Sequence, residues 1–368
     1  MFTELSTDVR CRLTKYDHET YSDRLSGGFA RGLDDAESAE GAPNLAQHEL
    51  THVKLSQRTL LVTDAASDLP AEWRAKAGVL LLPIKLRIGK ISRVDNGDEA
   101  TAVHFAAQLL AQLDGPTPTL AASAERTGEL IGQHTIDDTD FVLQIAMSSM
   151  RSNSYANSLT AAQKLMVKSS RDRRRAGNTR PFKMWVVDSG TSFNGHGVLI
   201  AECARLLQAD VALPQTVQQV DALRREVKTL VIPRDLKRFH RCAALPQSPF
   251  AHWLSRSFGQ LFNRIPVVVA SADELRIMST QNGFTVAASV AFNQVIRCVE
   301  AGIAAPFVCA SYAGDIADLR HIDGFVELSA TCARHAVTLL TSAMSMTNAA
   351  MLGGGSVLIS LASSFEFE

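Results

Sequence analysis

The chain of 368 residues has only six cysteines, Cys11, Cys203, Cys242, Cys298, Cys309 and Cys332, with no CxxC pair and no histidines at zinc-ligand spacing. That scatter excludes a zinc finger or ribbon and favours buried free thiols in a reducing compartment over a disulfide framework. No stretch approaches the roughly 18 uninterrupted apolar residues of a transmembrane helix, and the opening MFTELSTDVRCRLTKYDHE lacks the apolar core of a secretory signal. A cytoplasmic location without a transmembrane segment is therefore expected. An excess of one charge is also missing: 37 Lys and Arg against 38 Asp and Glu leave a net charge of -1. Contact with nucleic acid or an anionic surface would have to come from a local patch. The chain has no GxSxG elbow, HExxH, Walker A or EF-hand loop. Its histidines, among them His104 and His335, are dispersed as surface or core histidines usually are. Neither a metal site nor a catalytic template is expected.

What is present is ample apolar material. At 46% hydrophobic and 20% charged residues, the composition is that of a globular protein of about two domains. Residues 1–57 are polar and without sustained periodicity, and read as an extension. From Arg58 the texture changes to short apolar strands alternating with helices. Strands are expected at Thr59 to Asp64, Val79 to Leu86, Phe141 to Met147 and Met184 to Val187. Helices are expected at Ala100 to Leu113, Tyr155 to Val167, Gly197 to Leu207 and Gln215 to Lys228, and Asp68 with Pro70 reads as a further helix start. Strands at Thr229 to Pro233, Ile265 to Ala270, Pro306 to Ser311 and Ser356 to Leu361, with helices at Thr285 to Ala301 and Gly324 to Thr341, form a second set. The fold expected is α/β with two domains, 58–228 and 229–368: the first a doubly wound, mostly parallel sheet, the second a mixed sheet with helices. Between Lys164 and Lys183 lies a strongly basic stretch, expected as a loop insertion. It lacks the interleaved aromatics that stack nucleic-acid bases, so no nucleic-acid partner is expected.

Hydroxyl and small residues gather at the ends of predicted strands: Thr63 to Ser67, Thr117 to Thr119 with Ser123, Ser148 to Ser154, and Asp188 to Ser192. In an open α/β sheet such ends converge on one crevice, where hydroxyls and helix-start amides suit an anionic oxygen. The same residue types also collect there simply as caps. Gly195-His196-Gly197 resembles the start of a dinucleotide fingerprint, but it is separated from the preceding strand and has Ile200 where the third glycine belongs.

These segments, in this order, resemble the DegV family of bacterial fatty-acid-binding proteins. Val62-Thr63-Asp64-Ala65-Ala66-Ser67-Asp68-Leu69-Pro70 is similar to the family's V-T-D-S-T-x-D-L-P, and Leu82-Pro83-Ile84 to its V-P-L. Pro118-Thr119-Leu120-Ala121-Ala122-Ser123 is similar to T-T-S-Q-P-S. Ser148-Ser149-Met150-Arg151-Ser152-Asn153-Ser154-Tyr155-Ala156-Asn157-Ser158 resembles S-S-x-L-S-G-T-Y-Q-S-A. Val187-Asp188-Ser189 and Ile265-Pro266-Val267-Val268 match I-D-S and K-P-I-L. Departures are Ala65 for the family's first Ser, Asn153 for a Gly, no recognisable L-K-K-G-G-R-I near Arg238 to Cys242, Ser279 to Gly283 in place of R-T-R-K-K, and Met346 to Ala350 in place of H-T-G-P-G.

The resemblance implies a carrier, not an enzyme, that holds one long-chain fatty acid in a tunnel near the domain interface. It also implies presentation of the carboxylate to a separate fatty acid kinase. By the same resemblance, Thr119 and Ser152 stand where the family's hydroxyls bond the carboxylate, and the Asn153 amide stands where its Gly amide lies. Asp64, Ser149, Asp188, Ser189 and Thr347 are secondary candidates. No cofactor is implied beyond the bound fatty acid. Burying a sixteen-carbon chain at about 0.8 kcal/mol per methylene offers roughly 12 kcal/mol gross, enough for hydroxyls to serve only as head-group orienters. The alternative from the residues alone is an enzyme acting on a small anionic substrate at the same strand edge, with Asp64 or Asp188 as acid/base.

Overall fold

Short runs rich in Val, Ile and Leu, cut by turn residues, become the strands of two large sheets. The computed structural model describes residues 58–110, 117–135, 139–243, 264–272 and 274–367. The polar segment 1–57, with Cys11, lies outside these. All described residues belong to one unit, Leu50–Glu368. In chain order, β1 (Thr59–Asp64), a 3-10 turn (Ala65–Ser67), α1 (Ala71–Ala77), β2 (Val79–Leu82), β3 (Ile84–Ile88), β4 (Ile91–Asp95) and α2 (Glu99–His104) come first. A π-helical segment (Phe105–Leu109) continues α2, and β5 (Thr119–Leu120), α3 (Ala124–Gly132), β6 (Phe141–Ala146), α4 (Ser154–Arg175), β7 (Lys183–Asp188), α5 (Gly195–Gln208) and α6 (Leu213–Leu223) follow. Then come β8 (Val227–Ile232), α7 (Leu236–Ala243), β9 (Arg264–Ser271), β10 (Glu274–Asn282), α8 (Phe284–Ala301), β11 (Phe307–Tyr312), α9 (Phe325–Arg334), β12 (Thr338–Ala343), α10 (Met346–Leu352) and β13 (Val357–Ala362).

The first sheet has the order β2-β1-β6-β7, and its pairings are all parallel. Side chains alternate across it, so Val62 and Val142 meet Ile131 of α3 with Ala162 and Leu165 of α4 on one face. Leu61, Leu143 and Ile145 meet Leu199, Ile200 and Cys203 of α5 on the other. Helices on both faces explain why β1 and β6 read as nearly unbroken apolar runs. The second sheet, β10-β9-β8-β13-β11-β12, is mixed: β11 and β12 run parallel and the remaining pairs are antiparallel. On β8, Leu230 and Ile232 pack with Phe292 and Val295 of α8. Val231, between them, faces a different cluster with Val268, Leu358, Phe105 and Leu86. That second cluster therefore draws side chains from segments before and after residue 228.

Several expectations change. The helix expected at Gln215 to Lys228 stops earlier, α6 ending at Leu223 and Val227 already belonging to β8. Val79 to Leu86 is two strands, because Pro83 has no amide to donate to a ladder. β2 stays in the parallel sheet, while β3 pairs antiparallel with both β4 and β5 in a separate three-stranded sheet. The helix expected at Ala100 to Leu113 becomes π-helical at Phe105, and its residues 111–113 lie outside the described residues. Gly324 to Thr341 is not one helix: α9 ends at Arg334, Ala336 turns with φ +54°, and β12 follows.

Finally, the basic stretch is not a loop from Lys164, since α4 runs on to Arg175. Leu165, Ser169 and Arg173, four residues apart, keep one face of the helix buried. Arg173 is only 1% exposed; its guanidinium pairs with Asp140, donates to the Thr139 carbonyl at 2.9 Å and lies 6.0 Å from the Phe182 ring. Asp140 also receives Arg180 at 3.0 Å and Arg58 at 3.5 Å. Burial works to raise the Asp140 carboxyl, but Arg173 and Arg180 overcome it and hold the group below the ordinary carboxylate range.

This ion cluster gives a test of stability. Asp140→Ala leaves a buried guanidinium without its counter-charge and should cost about 3 to 5 kcal/mol, read from urea denaturation. Asp140→Ala combined with Arg173→Met removes both charges and should recover most of that loss. An Asp140→Ala protein as stable as the parent would show that the cluster does not hold α4 in place.

Candidate ligand site

Three of the hydroxyl segments follow β1, β6 and β7 at one edge of the parallel sheet, whereas Thr117 to Thr119 leads into β5 of the separate three-stranded sheet, and most of their side chains are engaged with the protein. Asp64 accepts the Ala66 amide at 3.2 Å and caps the 3-10 turn, and Ser123 caps α3 by accepting the Arg126 amide at 3.2 Å. Asp188 accepts the amides of Ser149 at 3.1 Å and Gly190 at 3.0 Å, which ties the ends of β6 and β7 together. Ser189 is buried and accepts from the Thr191 amide and hydroxyl. Ser149 itself is exposed.

Ser152 and Asn153 immediately precede α4, whereas Thr119 lies on β5 in the three-stranded sheet. Thr119 is half-buried on β5, where it pairs with Leu86 of β3, and its hydroxyl makes no hydrogen bond among the described residues. Asn157, on the first turn of α4, donates to the Ala122 carbonyl at 2.9 Å and so anchors the loop after β5 beside this helix end. Ser152 is half-buried, with its amide on the Ser148 carbonyl at 3.0 Å, and its hydroxyl oxygen accepts the Ser154 amide at 3.1 Å. Asn153 occupies the position before α4; its side chain is exposed and makes no capping bond. A hydroxyl without a protein partner and the free amides of a helix start are each group types that suit a carboxylate.

Behind this edge lies a buried polar network that sequence reading missed. Asp68 has φ +49° and does not cap α1, whose capping position is Pro70. Its carboxylate accepts the Ser311 hydroxyl at 2.6 Å, the Ser345 amide at 3.0 Å and the Asn348 side-chain amide at 3.0 Å. The Ser342 hydroxyl donates to the Asp68 carbonyl. Asn348 also donates to the Ala66 carbonyl at 2.9 Å. Burial pushes the Asp68 carboxyl up to about 6, against the stabilising bonds from Ser311, Ser345 and Asn348. Thr347 is buried and donates to Asp95 from its amide at 2.8 Å and its hydroxyl at 2.7 Å. Burial likewise raises the Asp95 carboxyl, with Thr347 opposing it. The segment that stands in place of H-T-G-P-G thus begins a helix whose residues hold two buried carboxylates.

Asp64 is equally enclosed. His196 Nε2 lies 3.1 Å from one carboxylate oxygen, and the Ser154 hydroxyl donates to the other at 3.3 Å. Burial alone would raise this carboxyl, but the charge and hydrogen bond of His196, with the Ala66 amide and Ser154, hold it below the ordinary range. His196 and Ser154 both bond Asp64 and not each other, so they do not form a nucleophile–base pair. The glycines flanking His196 answer to packing: a Cβ on Gly195 would lie 2.9 Å from Thr191 Cβ, and one on Gly197 would lie 2.7 Å from the Ser67 carbonyl. The signal that sequence did carry was the pairing of a lone His with two glycines.

A cavity of about 550 Å³ is lined by Val103, Ala106, Leu110, Arg238, Tyr312 and Gly353 to Gly355 among others. A second, of about 300 Å³, is lined by Trp73, Arg205 and Phe307 among others. Neither lining includes Thr119, Ser152 or Asn153. Among the described residues no group of three or more His, Cys, Asp or Glu is placed for a metal ion, and no helix is long and apolar enough to cross a membrane. Cys203, Cys298, Cys309 and Cys332 are free and buried, and burial pushes the Cys332 thiol up to about 12.

The pH dependence of stability should follow Asp68. Its folded-state value of about 6 lies above the unfolded carboxylate value, so the folded protein binds the extra proton. Stability should therefore rise as pH falls from about 7 toward 4, by roughly 3 kcal/mol at most for a shift of about 2 units. Asp95 acts in the same direction. Thermal melts of the parent at pH 5 and 7 should show the higher transition at pH 5. Asp68→Asn, which replaces an acceptor facing donors by an amide, should lower both transitions and reduce their difference. A parent that melts lower at pH 5 than at pH 7 would contradict this assignment.

Comparison with known proteins places these features in context. A family model described as an uncharacterised protein of the DegV family matches residues 58–364. A DegV domain-containing protein of Xanthomonas axonopodis pv. citri is 27% identical over 302 residues, covering 82% of this chain and 96% of the relative. A solved DegV family protein of Thermus thermophilus, described by its fatty acid binding, has a TM-score of 0.63 and 20% identity, covering 83% of this chain and 99% of that one. DegV of Bacillus subtilis, described as a fatty acid binding protein, has a TM-score of 0.64 and 16% identity, covering 84% of this chain and all of its own, at 100%. With its parallel and mixed sheets in the same α/β arrangement, and with the family model spanning nearly all the described residues, the chain belongs to the DegV family.

Proposed function

We propose that this protein is a non-catalytic carrier of one long-chain fatty acid, which it presents by the carboxylate to a separate fatty acid kinase in the cytoplasm. The observation that carries the reading is the position of Thr119. Its unpaired hydroxyl lies on β5 opposite Leu86, and Leu86 belongs to the apolar cluster that includes Phe105, Phe193, Val231, Met344 and Met346. A polar anchor therefore borders apolar side chains drawn from both halves of the chain. In this reading the Thr119 and Ser152 hydroxyls and the Asn153 amide bond the carboxylate, and the acyl chain runs among that cluster. The two methionines are adaptable packing partners for an alkyl chain. The fatty acid binding described for the solved relatives supports the ligand class.

The carboxylate is oriented by hydroxyls and the helix start, and affinity comes from methylene burial, reduced by the cost of association and ordering. The kinase partner rests on the family resemblance. Asp64, Asp68 and Asp95 then serve to hold the strand ends in register and take no part in chemistry.

Organic extraction followed by mass spectrometry should release long-chain fatty acid from purified protein, about one per chain. A protein that is empty and gains no thermal stability from any long-chain acid would rule out the carrier. Thr119→Val with Ser152→Ala should weaken binding by a few kcal/mol, since each hydrogen bond to a charged group is worth about 1.5 to 3 kcal/mol. Parental affinity in that double variant, measured by titration calorimetry, would place the head group elsewhere.

A further inference from the structure

We infer that the exposed face of α4 docks this protein on an anionic lipid bilayer. Lys164, Lys168, Arg171 and Arg175 are exposed at intervals of four, three and four residues, which places all four within one narrow strip along the helix. At 1.5 Å per residue the strip is about 16 Å long. Val167 lies beside it and is 76% exposed.

The strip costs the helix stability, because like charges three and four residues apart repel. Its internal compensation is small. Lys164 reaches Glu125 at 3.4 Å and Arg171 reaches Asp172 at 3.6 Å, both at the surface, where ion pairs are weak. Lys168 and Arg175 have no carboxylate partner among the described residues. The helix dipole favours cations only in the last turn, which accounts for Arg175 but not for Lys164 or Lys168. Packing does not require these four side chains either, for Arg173 is the cation of this stretch that is buried against Asp140.

Charge complementarity calls for an extended anionic surface. The aromatic in the basic stretch, Phe182, is buried beneath Arg173, so nothing is offered for stacking nucleic-acid bases. A convex row of cations with an exposed apolar neighbour suits a layer of anionic head groups, to which each cation near the surface adds attraction. The choice of lipid over an acidic protein rests on the carrier reading, since a fatty acid resides in bilayers. The strip begins ten residues into α4, about 15 Å along the helix from Ser154, so its cations are separate from Ser152 and Asn153 and can be replaced without touching them.

The full chain should co-sediment with vesicles of phosphatidylglycerol and phosphatidylcholine mixed equally, more strongly at low salt, and not with pure phosphatidylcholine. Lys164→Gln, Lys168→Gln, Arg171→Gln and Arg175→Gln together should reduce partitioning at least a hundredfold, with fatty acid content and melting temperature unchanged. If that variant does not fold, Lys168→Gln with Arg175→Gln should reduce partitioning at least tenfold. A parent chain that ignores anionic vesicles, or a folded variant that partitions like the parent, overturns the inference. Retention of an acidic protein by the parent without any vesicle binding overturns it also, in favour of a protein partner. Extracting the same preparations separates the two readings: vesicle binding by an empty chain keeps the α4 surface and removes the carrier, and a loaded chain that ignores vesicles does the reverse.

Discussion

The arrangement of the strand ends depends on the hydrogen bonding of one buried carboxylate. Asp68 follows β1 in a left-handed backbone conformation, and its donors are Ser311 at the end of β11, Ser345 before α10 and Asn348 within it. A carboxylate without water must be satisfied by protein donors, and here they come from segments more than 240 residues away. The turn after β1 is thereby fixed to the second sheet. Asp95, bound twice by Thr347, fixes the end of β4 to the same short helix.

With those ends held, the remaining geometry follows from packing. The first sheet is covered on both faces, whereas the second gives one face to α8 and α9 and the other to the cluster it shares with β3 and the π-helical segment. Gly354 allows the close approach on which this sharing depends, because a Cβ there would lie 2.5 Å from the Ala106 carbonyl. Through Leu86 of β3, the pairing partner of Thr119 on β5, the cluster extends to the three-stranded sheet.

Much of this was legible in the residues. The strands at Thr59 and Phe141 announced themselves by β-branched runs, and the hydroxyl clusters marked the strand ends. Where the expectation failed, or the role of a motif stayed hidden, tertiary contact had overridden local signal. The run from Arg171 to Arg175 looked like a solvated loop because the burial of Arg173 depends on Asp140, 33 residues earlier. Spacing and Ile200 already set Gly195-His196-Gly197 apart from a dinucleotide loop, but not what it does: its glycines make room for Thr191 and Ser67, and its histidine binds Asp64 across 132 positions. Asp68 looked like a helix cap, because a cap and an inter-sheet anchor present the same residue beside the same proline.

By itself, the sequence determined the family, the alternation of strands and helices, and the clustering of hydroxyls, because these rest on local periodicity and turn chemistry. Tertiary structure alone decided which of those hydroxyls and carboxylates are consumed by the fold and which remain open. Satisfying a buried polar group takes a partner at hydrogen-bond distance, and for Asp64, Asp68 and Asp140 the decisive partners are far along the chain, brought near only by the packing of the sheets.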